Sequence, residues 1–435
     1  MPSVCGRFDG GHPNSEQFYV LPRAMSLPIR SCRFPSLVRS GHGGLQSQMR
    51  NPMHNAHYTN KRSIIPGTAA SLCALLTTFS VCLTAQQWTN SGPLPRYSHS
   101  AVLDPSSNKM IVFGGALAQL NDTGLDLGDL WWLNNTGGVG LSWSRVPISG
   151  AHPSPRSGQS AIYDPGSNRM VIFGGGLGLA SPCTSQVWAL ENANGVGGSP
   201  AWTQFSPSGG PPAPRLRHTA VYDPNTNTMI IYGGNDCFSA RYADVWILKN
   251  ANGIGGTPTW TQLFPTGVAP AGRQDSSAVY DPASNRMVIY GGDEGTPTAD
   301  NSVWLLTNAN GTGGTPAWIE LSPSGAAPPV RALSSAVYDA ANNIMTIFGG
   351  SSEAGAGLLN DTWILAGANG LGSPVWTQLN PTLTTGPALR AGHTAVYNPT
   401  TNKMTIFGGV GTPPGTNITN AYFQDVWVMS NANGQ

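Results

Sequence analysis

An all-β fold built from six copies of one four-stranded unit is predicted for this chain by three features. The first is internal repetition. Arg96, Arg156, Arg215, Arg273, Arg331 and Arg390 each precede, by 18 positions, the first glycine of a Gly-Gly pair: Gly114, Gly174, Gly233, Gly291, Gly349 and Gly408. The period of 58 to 60 residues marks a repeat architecture, which must be recognised before any local assignment. The second is composition: charged residues are 10%, Gly and Pro number 55 and 36, and yet 13 Trp, 12 Tyr and 12 Phe remain. Such a balance suits short strands and tight turns around an aromatic core, whereas a disordered chain would lack the aromatics. The third is that almost every tryptophan falls at one of two repeat positions.

Within a repeat the elements follow in order. Thr219-Ala-Val-Tyr222 reads as a first strand, and its alanine recurs as Ala101, Ala161, Ala278, Ala336 and Ala395, as crowding near a common axis requires. Asp223-Pro-Asn-Thr-Asn227 has turn chemistry, with Pro fixing φ and Asp and Asn bonding nearby backbone. Met229-Ile-Ile-Tyr232 is a buried second strand that ends in glycines able to take positive φ or admit a close backbone. After a loop of variable length comes a third strand, Asp244-Val-Trp-Ile-Leu248, whose tryptophan recurs as Trp131, Trp188, Trp304, Trp363 and Trp427. An Asn-Ala-Asn-Gly turn leads to the fourth strand at Trp260, matched by Trp88, Trp143, Trp202, Trp318 and Trp376.

Four antiparallel strands repeated six times form the unit of a six-bladed β-propeller, whose radial closure limits exposed sheet edges. The termini complement each other. Residues 426–435 stop after a third strand, and Gln87-Trp88-Thr89 opens on a fourth, so residues 86–95 are expected to complete the blade built from 390–435.

The Gly-Gly pair, the tryptophan a little over a dozen residues on and the second tryptophan before the next copy resemble kelch repeats across residues 86–435. The longer repeat, with its Asn-Ala-Asn-Gly and Asp-Pro-x-x-Asn turns, is similar to secreted bacterial kelch-like proteins, often described as galactose-oxidase central-domain-like. The resemblance implies a binding or interaction module. It also offers an isomerase alternative of the sialic-acid mutarotase kind, for which Glu294 and Glu353 could serve as acid/base groups. Copper chemistry of the galactose-oxidase type is not expected, because that centre takes a cysteine-crosslinked tyrosine and a ligand from beyond the propeller.

The formal charge of +1 conceals an asymmetry. Residues 1–62 carry eight Lys/Arg against two Asp/Glu, which leaves 14 against 19 in the remainder. A mildly acidic body lacks the basic surface that phosphate neutralisation needs, so nucleic acid is not an expected partner. Residues 1–62 read as a non-native or disordered extension, with translation starting near Met53. Lys61-Arg62, an apolar centre and Ala85 describe a signal peptide over 61–85, and hence a secreted or periplasmic protein without a stable membrane span after cleavage. Cys183 and Cys237 occupy equivalent loops of neighbouring repeats, which favours a disulfide in an oxidising compartment.

The two turns of each repeat are uniform from copy to copy, while the loops between second and third strands vary and project from the opposite face. Loops on a rigid scaffold are where binding concentrates. That face carries Asp122, Asp126, Asp300 and Tyr422, and the binding residues are assigned to Asp236, Arg241, Tyr242, Asp293, Glu294 and Glu353. The six arginines are read as structural, paired with the aspartate two before the third-strand tryptophan: Asp129, Asp244, Asp361 and Asp425. His99, His218 and His393 share a position that Gln159, Ser276 and Ser334 hold elsewhere, an uneven set from which no metal site is expected. No cofactor is expected, and the partner is a protein or a glycan.

Overall fold

The computed structural model describes residues 92–117, 125–178, 182–295, 299–352, 357–381, 386–416, 418 and 420–435. All of these belong to the unit Thr84–Gln435. The extension 1–62, the segment 61–85 read as a signal peptide, residues 86–91 of the expected closing strand, Asp122 and Glu353 lie outside the described residues. The described residues form strands and turns without a helix, and none of their segments is a helix long and apolar enough to cross a membrane.

The third repeat shows how the sequence builds its sheet. Thr219–Asp223 pairs antiparallel with Thr228–Tyr232, which pairs with Val245–Lys249, which pairs with Thr259–Leu263. The first strand alternates buried and half-buried residues, whereas the second is buried throughout. That difference reflects sheets packed face to face, which bury the middle strands on both sides. Four further repeats give sheets of the same order, and Thr394–Asn398, Lys403–Phe407 and Val426–Ser430 form a three-stranded one. In the last repeat a second small sheet, Leu389–Ala391, Val410–Thr412 and Ala421–Tyr422, forms beside it.

The motif residues explain themselves locally. Asp223 accepts from the amide of Asn225 at 3.1 Å and from the Thr226 hydroxyl at 2.5 Å, and Asn227 takes φ 50° to close the hairpin. Asparagine tolerates that left-handed geometry better than most residues, which accounts for its recurrence before each buried second strand. Gly233, at φ 72°, has the carbonyl oxygen of Arg273 2.5 Å from where a Cβ would stand. Only glycine admits the next repeat's backbone that closely, and the amide of Gly234 then donates to the same oxygen at 2.8 Å.

The apolar core lies between neighbouring sheets. Ile230, Tyr232 and Ile247 of one repeat pack with Met287, Ile289, Trp304 and Trp318 of the next. Among the described residues each fourth-strand tryptophan meets the second-strand aromatic of the preceding repeat: Trp202 on Phe113, Trp260 on Phe173, Trp318 on Tyr232 and Trp376 on Tyr290, at centroid distances of 4.9 to 5.2 Å. Trp143 of the first repeat meets Phe407 of the last at 4.7 Å. Truncating such a ring costs about 3–5 kcal/mol.

Polar locks act at the end formed by the two turns. The turn asparagine of one repeat donates to the hairpin aspartate of the preceding one: Asn194 to Asp104 at 2.6 Å, Asn252 to Asp164 and Asn310 to Asp223 at 2.7 Å, Asn369 to Asp281 at 2.8 Å. Where the last repeat meets the first, both partners change. Asn398 stands for the aspartate and Gly137 for the asparagine, and Asn398 donates to Asn108 at 3.2 Å instead.

Candidate functional site

The end opposite those turns is organised by the six arginines. Arg215 is fully buried and spends its donors on the carbonyls of Ala213 and Gly233, both at 3.0 Å, and on both oxygens of Asp244 at 2.6 and 2.9 Å. Asp244 also accepts from the indole of Trp246 at 2.8 Å, which joins strand, loop and tryptophan in one network. Arg96, Arg331 and Arg390 do the same with Asp129, Asp361 and Asp425. Burial alone would raise these carboxyls, but hydrogen bonds from the guanidinium and the indole, together with the guanidinium charge, hold them below their usual range. Arg273 pairs with Asp300 and Glu294. Arg156 differs: it meets the neutral Gln186 at 2.8 Å, and burial lowers its pKa to about 10.

Two residues after each arginine the chain turns through positive φ: Ser98, Arg217, Asp275 and Leu333 at 51° to 57°, Gly158 and Gly392 at 67° and 64°. The amide of each donates to the carbonyl of its counterpart one repeat earlier. Gly158 bonds to Ser98, Arg217 to Gly158, Asp275 to Arg217, Leu333 to Asp275 and Gly392 to Leu333, at 2.7 to 3.0 Å, and Ser98 bonds to Gly392 at 2.8 Å. These bonds link the six residues in one circuit of amides. The residues at this register carry unequal side chains, and two are charged: Arg217 reaches Asp275 at 3.4 Å.

Above the circuit is a cavity of about 310 Å³, lined among others by Tyr97, Asp126, Arg217, Phe238, Arg241 and Gln274. The Cys183–Cys237 disulfide braces its wall, joining loops of the second and third repeats across a Cα separation of 5.5 Å. The Phe238 ring is 83% exposed at the rim. Burial pushes the Asp126 carboxyl up, against hydrogen bonds from Ser157 and Gly178. Asp275 is also pushed up by burial, more than the Arg217 charge pulls it down, while Asp275 holds Arg217 firmly charged.

Below the circuit a second cavity of about 140 Å³ is lined by Arg217, Asp275, His99, His218, His393 and Gln159, with Ser276 and Ser334. Each imidazole Nε2 meets a hydroxyl of the preceding repeat: His218 with Ser160 at 2.7 Å, His393 with Ser335 at 2.8 Å, His99 with Thr394 at 2.7 Å. Burial brings the pKa of His218 and His393 to about 3 and His99 well below its usual value, so all three are neutral. They clamp neighbouring repeats, as the Gln159 amide does at Ser100. Among the described residues no group of three or more His, Cys, Asp or Glu could hold a metal ion.

The residues assigned from the loops have distinct surroundings. Arg241 lines the upper cavity and pairs with Asp293 at 2.8 Å. Asp236 accepts three successive amides, from Phe238, Ser239 and Ala240, and so shapes the loop that presents Phe238. Tyr242 lies against the Arg215 guanidinium at 4.2 Å, and Glu294 is held by Arg273. Sequence reasoning passed over Tyr97, Arg217, Asp275 and Phe238. The signal for two of them was a register at which Arg217 and Asp275 replace the small or apolar residues of the other copies.

These repeated sheets, with buried arginines and Gly-Gly turns at one end, define a kelch β-propeller. The chain belongs to the family described as the KLHDC2/KLHL20/DRC7 Kelch-repeats domain, whose model matches residues 66–253, 166–306 and 255–435. It is 34% identical over 152 residues to host cell factor homolog hcf-1 of Caenorhabditis elegans, covering 33% of this chain and 18% of that protein. It is 24% identical over 277 residues to F-box/kelch-repeat protein At1g51550 of Arabidopsis thaliana, covering 59% and 55%. To the Rab9 effector protein with kelch motifs of Mus musculus it is 31% identical over 156 residues, covering 35% and 37%. The chain therefore spans between 18% and 55% of the length of these relatives. The solved structure of YjhT has the same fold, with a TM-score of 0.53, 15% identity and coverage of 77% of this chain and 95% of that one.

Proposed function

We propose that this chain is a secreted or periplasmic six-bladed kelch propeller that acts as a non-catalytic binding module for a protein or carbohydrate ligand through its variable-loop end. The observation that carries this reading is the cavity above the amide circuit. There the side chains differ from repeat to repeat, while the opposite end repeats one Asn–Asp lock. Kelch repeats in a protein named as a Rab9 effector favour an interaction role. Export rests on the segment 61–85, whose processing at Ala85 N-terminal sequencing of the mature protein would test.

The blade count and ring closure belong to the same reading. First strands touch in succession, and Thr394–Asn398 lies against Ser100–Asp104. Phe348 alone of the six second-strand aromatics lacks a described tryptophan partner, and it borders a groove of about 780 Å³ with Leu379, Trp427 and Met429. Residues 86–95, with Trp88 at the fourth-strand position of the repeat, carry the sequence from which we propose that blade is completed.

The module is tested by affinity capture from the native secretome with the full chain, compared between Phe238→Ala at the cavity rim and Val196→Ala on the opposite face. Specific capture lost with Phe238→Ala and kept with Val196→Ala supports the loop end. The reverse pattern, or loss with neither, defeats it.

A further inference from the structure

We propose that the upper cavity receives a single sugar ring of a neutral glycan, an inference that rests on the binding-module reading and narrows it. Size comes first. A cavity of about 310 Å³ sits at the lower end of the range of about 300–1,000 Å³ for small-molecule sites, enough for one ring and too little for an extended segment.

Charge decides between neutral and ionic ligands. Both cations on the wall already have carboxylates: Arg217 faces Asp275, and Arg241 donates to the Asp293 side chain at 2.8 Å and to its carbonyl at 3.0 Å. Asp126 adds a further acid that burial disfavours as an anion. An anionic ligand would lie beside the carboxylates of Asp275 and Asp293 that already offset these charges, and a cationic one would meet two guanidinium groups. An uncharged ligand avoids both penalties.

Hydrogen-bonding capacity and shape then favour a sugar over an apolar ring. Among the described residues the Arg217 side chain makes one hydrogen bond, the 3.4 Å contact to Asp275, so most of its five donors remain for acceptor oxygens at the cavity floor. Ser98 and Ser157 lie on the same wall. Tyr97 lines the cavity and Phe238 stands exposed at its rim, giving apolar faces against which the C–H side of a pyranose can lie. Planar donors and aromatic rings lining one cavity match a ligand that is polar at its edge and apolar on its face.

The test uses the full chain on an array of neutral and acidic oligosaccharides, then calorimetric titration of the strongest neutral one. Saturable binding to neutral glycans, insensitive to added salt and weakened about tenfold by Phe238→Ala, is expected. Phe238 is exposed, so this change leaves the fold intact; Arg217→Lys, which keeps the charge and removes the planar fork, should also weaken binding. Binding confined to sialylated or uronate glycans, or neutral binding indifferent to both changes, overturns the inference. No glycan binding at all overturns it too. If specific protein capture then persists and depends on Phe238, the module reading stands without it; if that is lost as well, both fall.

Discussion

The amide of Ser98 donates to the carbonyl of Gly392 at 2.8 Å, which joins the first repeat to the last and completes a circuit of six such bonds. Each is made by a residue at positive φ, and four of the six are not glycine. A left-handed conformation costs an L-residue about 1–2 kcal/mol, so the circuit holds those residues against their preference. Ser98→Gly is expected to stabilise the protein by about 1 kcal/mol, and Gly392→Val to destabilise it by about 2 kcal/mol or more. Urea unfolding measures both; equal midpoints for the two variants would contradict this account of the ring.

Arg156 is the one repeat arginine that has no third-strand carboxylate among the described residues; its partner there is the neutral Gln186. Replacing Gln186 with Asp restores the carboxylate that Arg96, Arg215, Arg331 and Arg390 have, and should stabilise the protein by about 1–2 kcal/mol at neutral pH. Removing a partner acts in the other direction: Asp244→Ala leaves the buried Arg215 guanidinium uncompensated, at a cost of about 3–5 kcal/mol. Thermal unfolding of both variants tests the pair, and a destabilising Gln186→Asp would count against it.

Acid should weaken the fold well above the carboxylate range. His218 and His393 titrate at about 3 in the folded state and His99 is also well lowered, whereas an unfolded histidine takes up its proton near pH 6.5. Below that value the unfolded chain binds more protons than the folded one, so stability falls as pH falls, by about 1.4 kcal/mol per pH unit for each histidine. The lowered Asp129, Asp244, Asp361 and Asp425 add their loss only below about pH 4, as pH falls through their folded values. Changing the three histidines to Gln, the residue already at position 159, should flatten stability between pH 6 and about pH 4. Unfolding followed across that window decides it; an unchanged slope excludes the histidines as its source.

If Trp88 fills the groove beside Phe348, the two should be energetically coupled. Trp88→Ala is expected to cost about 3–5 kcal/mol, and a double-mutant cycle with Phe348→Ala should give a coupling of about 1 kcal/mol. Additive effects would argue against closure through residues 86–95.

The repeat, its strands and its turns were legible in the sequence because each depends on local chemistry copied six times. Asparagine closes the hairpin at Asn227, glycine admits the Arg273 carbonyl at Gly233, and β-branched runs fill a strand buried on both faces. The loop end could be located by its variability, and Arg241 and Asp293 were named there, but their ion pair crosses from one repeat to the next. Tertiary structure alone decided which groups meet. Arg217 and Asp275 stand 58 positions apart and become neighbours through the circuit of amides, while Glu294 and Tyr242 are drawn onto the arginines Arg273 and Arg215. A periodic sequence specifies every sheet in the same way; the cavity arises where side chains from different sheets depart from the period and converge, and convergence is a property of the fold.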